Sequence, residues 1–158
     1  MHLTESFTPC LAAFRDVFTQ PTYGTFVALM TGWILSHRHR FVTELIQSSG
    51  STHHGHHSRY HRFFSHAAWD LDTLCGILAR LVVATFVPAG LIEVAVDDTL
   101  CRKRGLTIYG TGMHYDPLLS SRALKRVSWG HDWVVLSILI RRPWAPTKVW
   151  ALPVLCRL

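Results

Sequence analysis

Apolar positions recur at helical spacing through the first half of the chain, residues 1–87. The stretch 71–82, for example, keeps the i, i+3, i+4 rhythm that gathers side chains on one face of a helix. Pro21 suits the first turn of another such stretch, while Ser58 and Asp70 precede two more as predicted N-caps. The pattern predicts a bundle of five short helices joined by tight turns.

The periodicity changes after Pro88, and four apolar segments then predict strands. They are LIEVAVDD (91–98), LTIYGTGMHYD (106–116), HDWVVLSILIRR (131–142) and a short TKVWALPVL (147–155). The nearly continuous apolar run of the third segment predicts burial on both of its faces. The connections between the first three segments suit antiparallel hairpins. The sequence therefore predicts the α+β class, with a helical region over residues 1–88 and a sheet region over residues 89–158.

The first and last parts of the chain differ in charge. Residues 1–100 carry six Lys/Arg and eight Asp/Glu, whereas residues 101–158 carry ten Lys/Arg and two Asp/Glu. The resulting net charges of −2 and +8 sum to the +6 of the whole chain. Such asymmetry favours a polyanionic partner for the second part, with a solvated basic face as the alternative.

Cysteine usage and hydropathy both favour a cytosolic protein that does not enter the membrane. The four cysteines lie far apart without a CxxC pair, and Glu5 and Arg15 interrupt any signal-peptide pattern at the start. The apolar run 81–96 contains Pro88 and Glu93. It is also shorter than the roughly 20 clean residues that a spanning helix needs.

An acidic pair, Asp97 and Asp98, ends the first predicted strand. Because side chains alternate along a strand, the two carboxylates point to opposite faces, and only one can serve a shared site. A carboxylate fixed at a strand end is a hard ligand suited to Mg²⁺ or Mn²⁺, and such an ion can activate water in phosphodiester cleavage. The alternative is that both acids are turn or capping residues, or pair with Arg102 and Lys103.

Several segments, taken in their order, carry a family resemblance: VDDTLCRKRG (96–105), YGTGMHYDP (109–117), GHDWVVLSILI (130–140) and WALPVLCRL (150–158). This succession resembles the DDE superfamily of insertion-sequence transposases. The upstream segment SRYHRFFSHAAWDLDTL (58–74) resembles the helical N-terminal region of that group. The resemblance spans roughly residues 25–158. It implies the opening strands of an incomplete ribonuclease H-like mixed sheet.

Asp98 matches the first catalytic Asp of that family, the one directly before Thr99, and the resemblance implies that it binds Mg²⁺ or Mn²⁺. The family's later Asp and Glu have no counterpart. No Asp or Glu follows Asp132, and the segments that hold Asp116 and Asp132 match other parts of the family pattern. A two-metal site needs several carboxylates. We therefore expect the N-terminal portion of a transposase, inactive in DNA cleavage and strand transfer when alone.

The same resemblance implies the partners and the location of the protein. The expected partner is DNA at transposon ends, with a full-length transposase as a further candidate and no small-molecule substrate. The expected location is the cytoplasm, in association with the nucleoid.

Seven basic side chains are predicted to hold DNA phosphates, because clustered Lys and Arg neutralise phosphates without reading sequence. They are Arg59, Arg62, Arg102, Lys103, Arg104, Lys125 and Arg126. Exposed loop charge that aids solubility is the alternative. The histidine-rich segment HHGHHSRYHR (53–62) matches no structural zinc spacing, and we interpret it as a loop that leads into a DNA-contacting helix.

Two other functions remain open on the sequence alone. A stand-alone DNA-binding protein, or a regulator of a full-length transposase, would use the helical part and the basic tail without cleaving DNA. A small membrane-associated protein would be built around residues 71–96. A steep loss of DNA affinity with salt would support the first, and detergent-dependent sedimentation would support the second.

Overall fold

The computed structural model describes residues 3–37, 39–53, 55–105, 107–142 and 144–158, with the backbone alone for residues 3–6. The helices are α1 (Leu3–Ala12), α2 (Gln20–Leu35), α3 (Val42–Ser48), α4 (Ser58–Ser65) and α5 (Leu71–Phe86), and the strands are β1 (Val94–Arg102), β2 (Gly112–Tyr115), β3 (Val127–Arg142) and β4 (Ala145–Arg157). A helical part is followed by a sheet, which confirms the predicted α+β class.

Contacts divide the chain into two compact units, Met1–Ile77 and Leu78–Leu158. The second unit contains the end of α5 together with the sheet. The boundary that the sequence places after residue 88 stays a prediction. Among the described residues, no helix has both the length and the hydropathy that a bilayer crossing requires.

Helix ends follow two of the three local signals considered above. Pro21 lies in the first turn of α2. The Oδ2 atom of Asp70 accepts hydrogen bonds from the amide of Thr73 at 2.6 Å and from its hydroxyl at 2.5 Å, so Asp70 caps α5. The prediction for Ser58 was wrong. Ser58 is already the first residue of α4, and its hydroxyl pairs with Nδ1 of His56 at 2.8 Å.

Aromatic rings build much of the core of the helical unit. Phe18 stacks on Phe26 with ring centroids 4.7 Å apart, and Phe63 stacks on Trp69 at 5.6 Å. Phe18, Phe26 and Phe63 are all buried. Buried rings stabilise through apolar area and ring geometry, and their burial leaves them unavailable for stacking on nucleic-acid bases.

Helices α2 and α3 approach each other most tightly at Gly32. A Cβ atom at this position would lie 2.7 Å from the carbonyl carbon of Leu45 and 2.8 Å from its Cα, with the carbonyl oxygen closer still. Leu45 and Leu29, which are both almost fully buried, belong to the same two helices. The contact therefore requires a residue without a side chain.

Strand β3 is the centre of the sheet. Residues 130–138 of β3 pair with β1, residues 127–130 pair with β2, and residues 134–142 pair with β4. Because β1 and β4 share part of the same stretch of β3, they must lie on opposite sides of it. All three pairings are antiparallel. Of the hairpins predicted between the first three segments, the structure forms the β2–β3 hairpin, whereas β1 pairs with β3 instead of β2. The parallel pairing that a mixed sheet needs is not found in the part of the chain that the structure describes.

Helix α5 packs on one face of this sheet. The buried residues Val82, Ile138, Ile140 and Val154 form its core. The prediction that β3 is buried on both faces holds for only part of the strand. Ser137 and Ile138, whose side chains point to opposite faces, are 8% and 3% exposed, whereas Val134 is 46% exposed.

A candidate active-site face on the sheet

Asp98 lies in the middle of β1 rather than at its end, because the strand continues to Arg102. It stands opposite Val134 of β3, and Asp97 stands opposite Val135. Successive residues of a strand point to opposite faces, so the two carboxylates are divided between the faces, as predicted. Both acids are exposed.

The register brings a second carboxylate onto the face that carries Asp98. Asp132 of β3 stands opposite Leu100, two residues along β1 from Asp98. Asp98 and Asp132 are thus diagonal neighbours on adjacent strands, a relation in which Cα atoms are typically about 7–8 Å apart. The sequence analysis set Asp132 aside as part of another family segment. Its place beside Asp98 depends on strand register, which the sequence does not show.

A histidine completes this polar group. His114 of β2 stands opposite Ser128, which shares a face with Asp132 because the two are an even number of residues apart. Nδ1 of His114 lies 3.7 Å from Oδ2 of Asp132. Nε2 of His114 is buried and has no hydrogen-bond partner in the described part of the chain. We call the group of Asp98, Asp132 and His114 the Asp98 face.

The Asp98 face does not by itself fit a two-metal centre. Two ions at a phosphoryl-transfer site need several carboxylates to hold them, and this face carries two. Within residues 3–37, 39–53, 55–105, 107–142 and 144–158, no group of three or more His, Cys, Asp or Glu side chains lies close enough to hold a metal ion. The groups that these residues present on the sheet surface are two carboxylates and one imidazole.

Asp116, two residues after His114, lies on the same side of the sheet, but it has a structural role. It is 1% exposed. Its carboxylate accepts two hydrogen bonds from the Arg102 guanidinium, at 2.6 and 2.7 Å, and one from the Ser128 hydroxyl at 2.5 Å. The amides of Leu118 and Leu119 each donate to Oδ1 at 3.1 Å. The Arg102 and Ser128 hydrogen bonds hold the pKa of Asp116 well below its usual range.

This network gives Arg102 a role that the sequence analysis did not predict. The sequence predicted Arg102 either as a phosphate contact or as a partner for the acidic pair on β1. In the structure its guanidinium makes a bidentate pair with Asp116, a geometry that fixes both side chains. Arg102 therefore ties the end of β1 to the loop after β2.

The other predicted phosphate contacts of the sheet unit are exposed. Lys103 and Arg104 directly follow β1, and Arg126 precedes β3. Nζ of Lys125 lies 5.4 Å from the centre of the Tyr115 ring and 3.5 Å from its hydroxyl. These four cations are positioned for solvent or for an anionic partner.

The two arginines of the helical unit share one cleft. Arg59 donates from Nε to the Thr25 hydroxyl at 2.8 Å and from Nη2 to the Pro21 carbonyl at 2.7 Å. Arg59, Arg62 and His66 line an open cleft of about 360 Å³. Arg59 thus joins α4 to α2. Arg62, at the same cleft, is exposed.

The histidine-rich loop places some of its rings close together. His56 and His57 have ring centroids 4.1 Å apart, and His57 and His61 are 6.0 Å apart. His54, which belongs to the same segment, lies outside the described residues. The loop enters α4, as predicted.

Comparison with known proteins gives a family match. The family model described as DDE superfamily endonuclease matches residues 13–154. Searches of curated proteins and of solved structures returned no match. The matched range includes nearly the whole chain, with the Asp98 face and all seven predicted phosphate contacts inside it.

Proposed function

This chain belongs to the DDE superfamily of endonucleases, and on that premise we propose that it is a transposase-type member that binds the DNA ends of an insertion sequence. DNA is the substrate that the family implies, and these endonucleases generally use divalent metal ions. The observation that carries the proposal is the family match across both the helical unit and the Asp98 face. The proposed location is the cytoplasm, in association with the nucleoid.

Asp98 is the proposed ligand that this chain contributes for Mg²⁺ or Mn²⁺. Its position beside Asp132 supports the choice over Asp97, which is also exposed but lies on the opposite face. The described residues bring no third acidic ligand to the Asp98 face. We therefore propose that the chain alone does not cleave DNA.

Metal binding tests the role of Asp98. We expect Asp98→Asn to weaken Mn²⁺ binding at least tenfold, about the loss caused when even an outer partner of a metal ligand is removed. Asp97→Asn is the matched control, because it removes the same charge from the other face, and its Mn²⁺ affinity should change little. Titration followed by electron paramagnetic resonance measures both. Equal effects of the two substitutions would contradict the assignment to Asp98.

Cleavage of terminal-repeat DNA tests the second part of the proposal. The chain of 158 residues, supplied with Mg²⁺ or Mn²⁺, should leave a terminal-repeat duplex intact. Robust cleavage that Asp98→Ala abolishes would overturn the proposal that the chain is inactive alone, while it would support Asp98 as a catalytic residue.

DNA affinity tests the proposed phosphate contacts. The logarithm of the binding constant should fall linearly with the logarithm of salt concentration, and Lys103→Ala or Arg104→Ala should each reduce that slope by about 1. Arg15→Ala is the control, because Arg15 lies over the Tyr23 ring at 5.0 Å and outside the proposed set. Fluorescence anisotropy with a terminal-repeat duplex gives the slopes. Unchanged slopes in both variants would remove these two residues from the interface.

A regulator of a full-length transposase is the second candidate function. The observation that favours it is the combination of four exposed cations of the sheet unit, Lys103, Arg104, Lys125 and Arg126, with an Asp98 face that lacks a third acidic ligand in the described chain. In this case the chain would occupy transposon ends without processing them. Salt-sensitive DNA binding, no cleavage, and inhibition of the full-length enzyme on the same DNA would distinguish this function.

A further inference from the structure

The cleft of about 360 Å³ between α2 and α4 gathers three basic side chains within the helical unit. Arg59, Arg62 and His66 follow one another at intervals of three and four residues, so they lie on one face of α4 and its C-cap. All three line the cleft, and no Asp or Glu of the described residues lines it with them. The described lining therefore offers an anion two guanidinium groups and one imidazole.

Arg59 is fixed at the wall of this cleft by one edge of its guanidinium group. Its Nε atom donates to the Thr25 hydroxyl at 2.8 Å, and its Nη2 atom donates to the Pro21 carbonyl at 2.7 Å. Thr25 is 3% exposed, and its hydroxyl donates to the same carbonyl at 3.1 Å, which fixes both acceptors. A guanidinium group has five N–H donors, so these two bonds leave three for a ligand. Because Arg59 is already ordered, a ligand that binds it loses little affinity to side-chain ordering.

The first turn of α2 adds a second source of positive potential. Pro21 and Thr22 line the cleft, and both belong to the first turn of this 16-residue helix. The N-terminal end of a helix carries a partial positive charge that favours phosphate groups. The cleft volume lies near the lower end of the range of ligand sites, roughly 300–1,000 Å³. This space suits one phosphate group with part of an attached nucleotide.

We propose that this cleft is a subsite for one phosphate group of DNA, with Arg62 and His66 as direct contacts and Arg59 as a preorganised third donor. Because the proposed function makes DNA the source of the phosphate, the assignment rests on that function. His66 thereby gains a role that the sequence did not predict, and the two arginines act at one site. An internal phosphodiester and a 5′-terminal phosphate share the required chemistry.

Inorganic phosphate tests the cleft without DNA. Added at constant ionic strength to the isotope-labelled full chain, it should shift the Nε–H signals of Arg59 and Arg62 in two-dimensional NMR, whereas Arg15, outside the cleft, should not respond. Arg62→Gln should weaken the binding seen at Arg59 about tenfold, and His66→Gln should weaken it as well. His61→Gln is the matched control, because His61 belongs to α4 but does not line the cleft. Equal shifts of all three arginine signals would overturn the proposal.

DNA binding identifies the source of the phosphate. Fluorescence anisotropy compares two terminal-repeat duplexes of one sequence, one with a 5′-phosphate and one with a 5′-hydroxyl. Tighter binding of the first duplex, with the difference lost in Arg62→Gln, would assign the cleft to a terminal phosphate. Equal binding of both duplexes, weakened about tenfold by Arg62→Gln, would assign it to an internal phosphodiester. Either result supports the subsite.

Failure of the subsite and failure of the proposed function give different results. If the parent chain binds the duplexes, and Arg62→Gln and His66→Gln bind them equally well, the subsite is overturned and the proposed function stands. If the parent chain binds neither duplex, the proposed function is overturned. The titration with inorganic phosphate then still decides whether the cleft binds phosphate.

Discussion

Replacing Gly32 by alanine is expected to destabilise the helical unit by about 3 kcal/mol, at the upper end of the usual cost of overpacking a core. The new methyl group would meet the backbone of Leu45, with the carbonyl carbon 2.7 Å away. Backbone atoms in a helix cannot turn aside as a flexible side chain can, so α2 and α3 would have to separate. That separation would loosen the packing around Leu29 and Leu45, which are both almost fully buried.

Gly24→Ala provides the matched control on the same helix. A Cβ atom at Gly24 would have its nearest neighbour, Nη2 of Arg59, at an ordinary 3.6 Å. Alanine is favoured over glycine in a helix by about 1 kcal/mol, so this variant should be at least as stable as the parent protein. Urea unfolding followed by far-ultraviolet circular dichroism compares the two midpoints. Similar midpoints for the two variants would show that α2 and α3 do not meet at Gly32 as described.

Neutralising Asp116 is expected to cause a larger loss of sheet stability than neutralising either acid of the Asp98 face. Asp116→Asn removes the charge that Arg102 and Ser128 hold in a site that is 1% exposed. The guanidinium of Arg102 would then face an amide that cannot accept both of its hydrogen bonds. Asp132→Asn is the control, because Asp132 is partly exposed and Nδ1 of His114 lies 3.7 Å from its carboxylate. Thermal unfolding monitored by tryptophan fluorescence should separate the two variants clearly.

The same carboxylate should make the sheet unit acid-sensitive. In the unfolded chain Asp116 takes up a proton near its ordinary pKa of 3.8, whereas the folded protein keeps it ionised at lower pH. Its contribution to stability is therefore complete above about pH 5 and is lost as the pH falls through 4 and below. Asp116→Asn should show a weaker fall of stability over this range than the parent protein. An identical acid response would contradict the network.

Local signals in the sequence predicted the elements but not the pairing between them. Asp70 as the cap of α5 and Pro21 in the first turn of α2 follow from the chemistry of helix ends. The division of Asp97 and Asp98 between two faces follows from strand alternation alone. The neighbourhood of Asp132 and Asp98 does not, because a shift of register by one residue moves every side chain of a strand to the other face.

Two further features depend on tertiary structure in the same way. The burial of Asp116 results from the meeting of the end of β1, the start of β3 and the loop between β2 and β3. The apolar run of β3 predicted burial but not the place of the strand in the sheet, and among the described strands the structure pairs β3 on both sides and leaves β1 at an edge. The position of a strand in the sheet depends on the topology, so the sequence pattern of one strand does not predict it.

The central position of β3 also determines when β1 can first pair during synthesis of the polypeptide. β1 ends at residue 102, and the residues of β3 that receive it run from 130 to 138. At a synthesis rate of about 5–20 residues per second, β1 leaves the ribosome a few seconds before its partner does. During that interval both sides of β1 are unpaired, so translation speed across residues 103–138 governs how long the nascent chain needs protection by a chaperone.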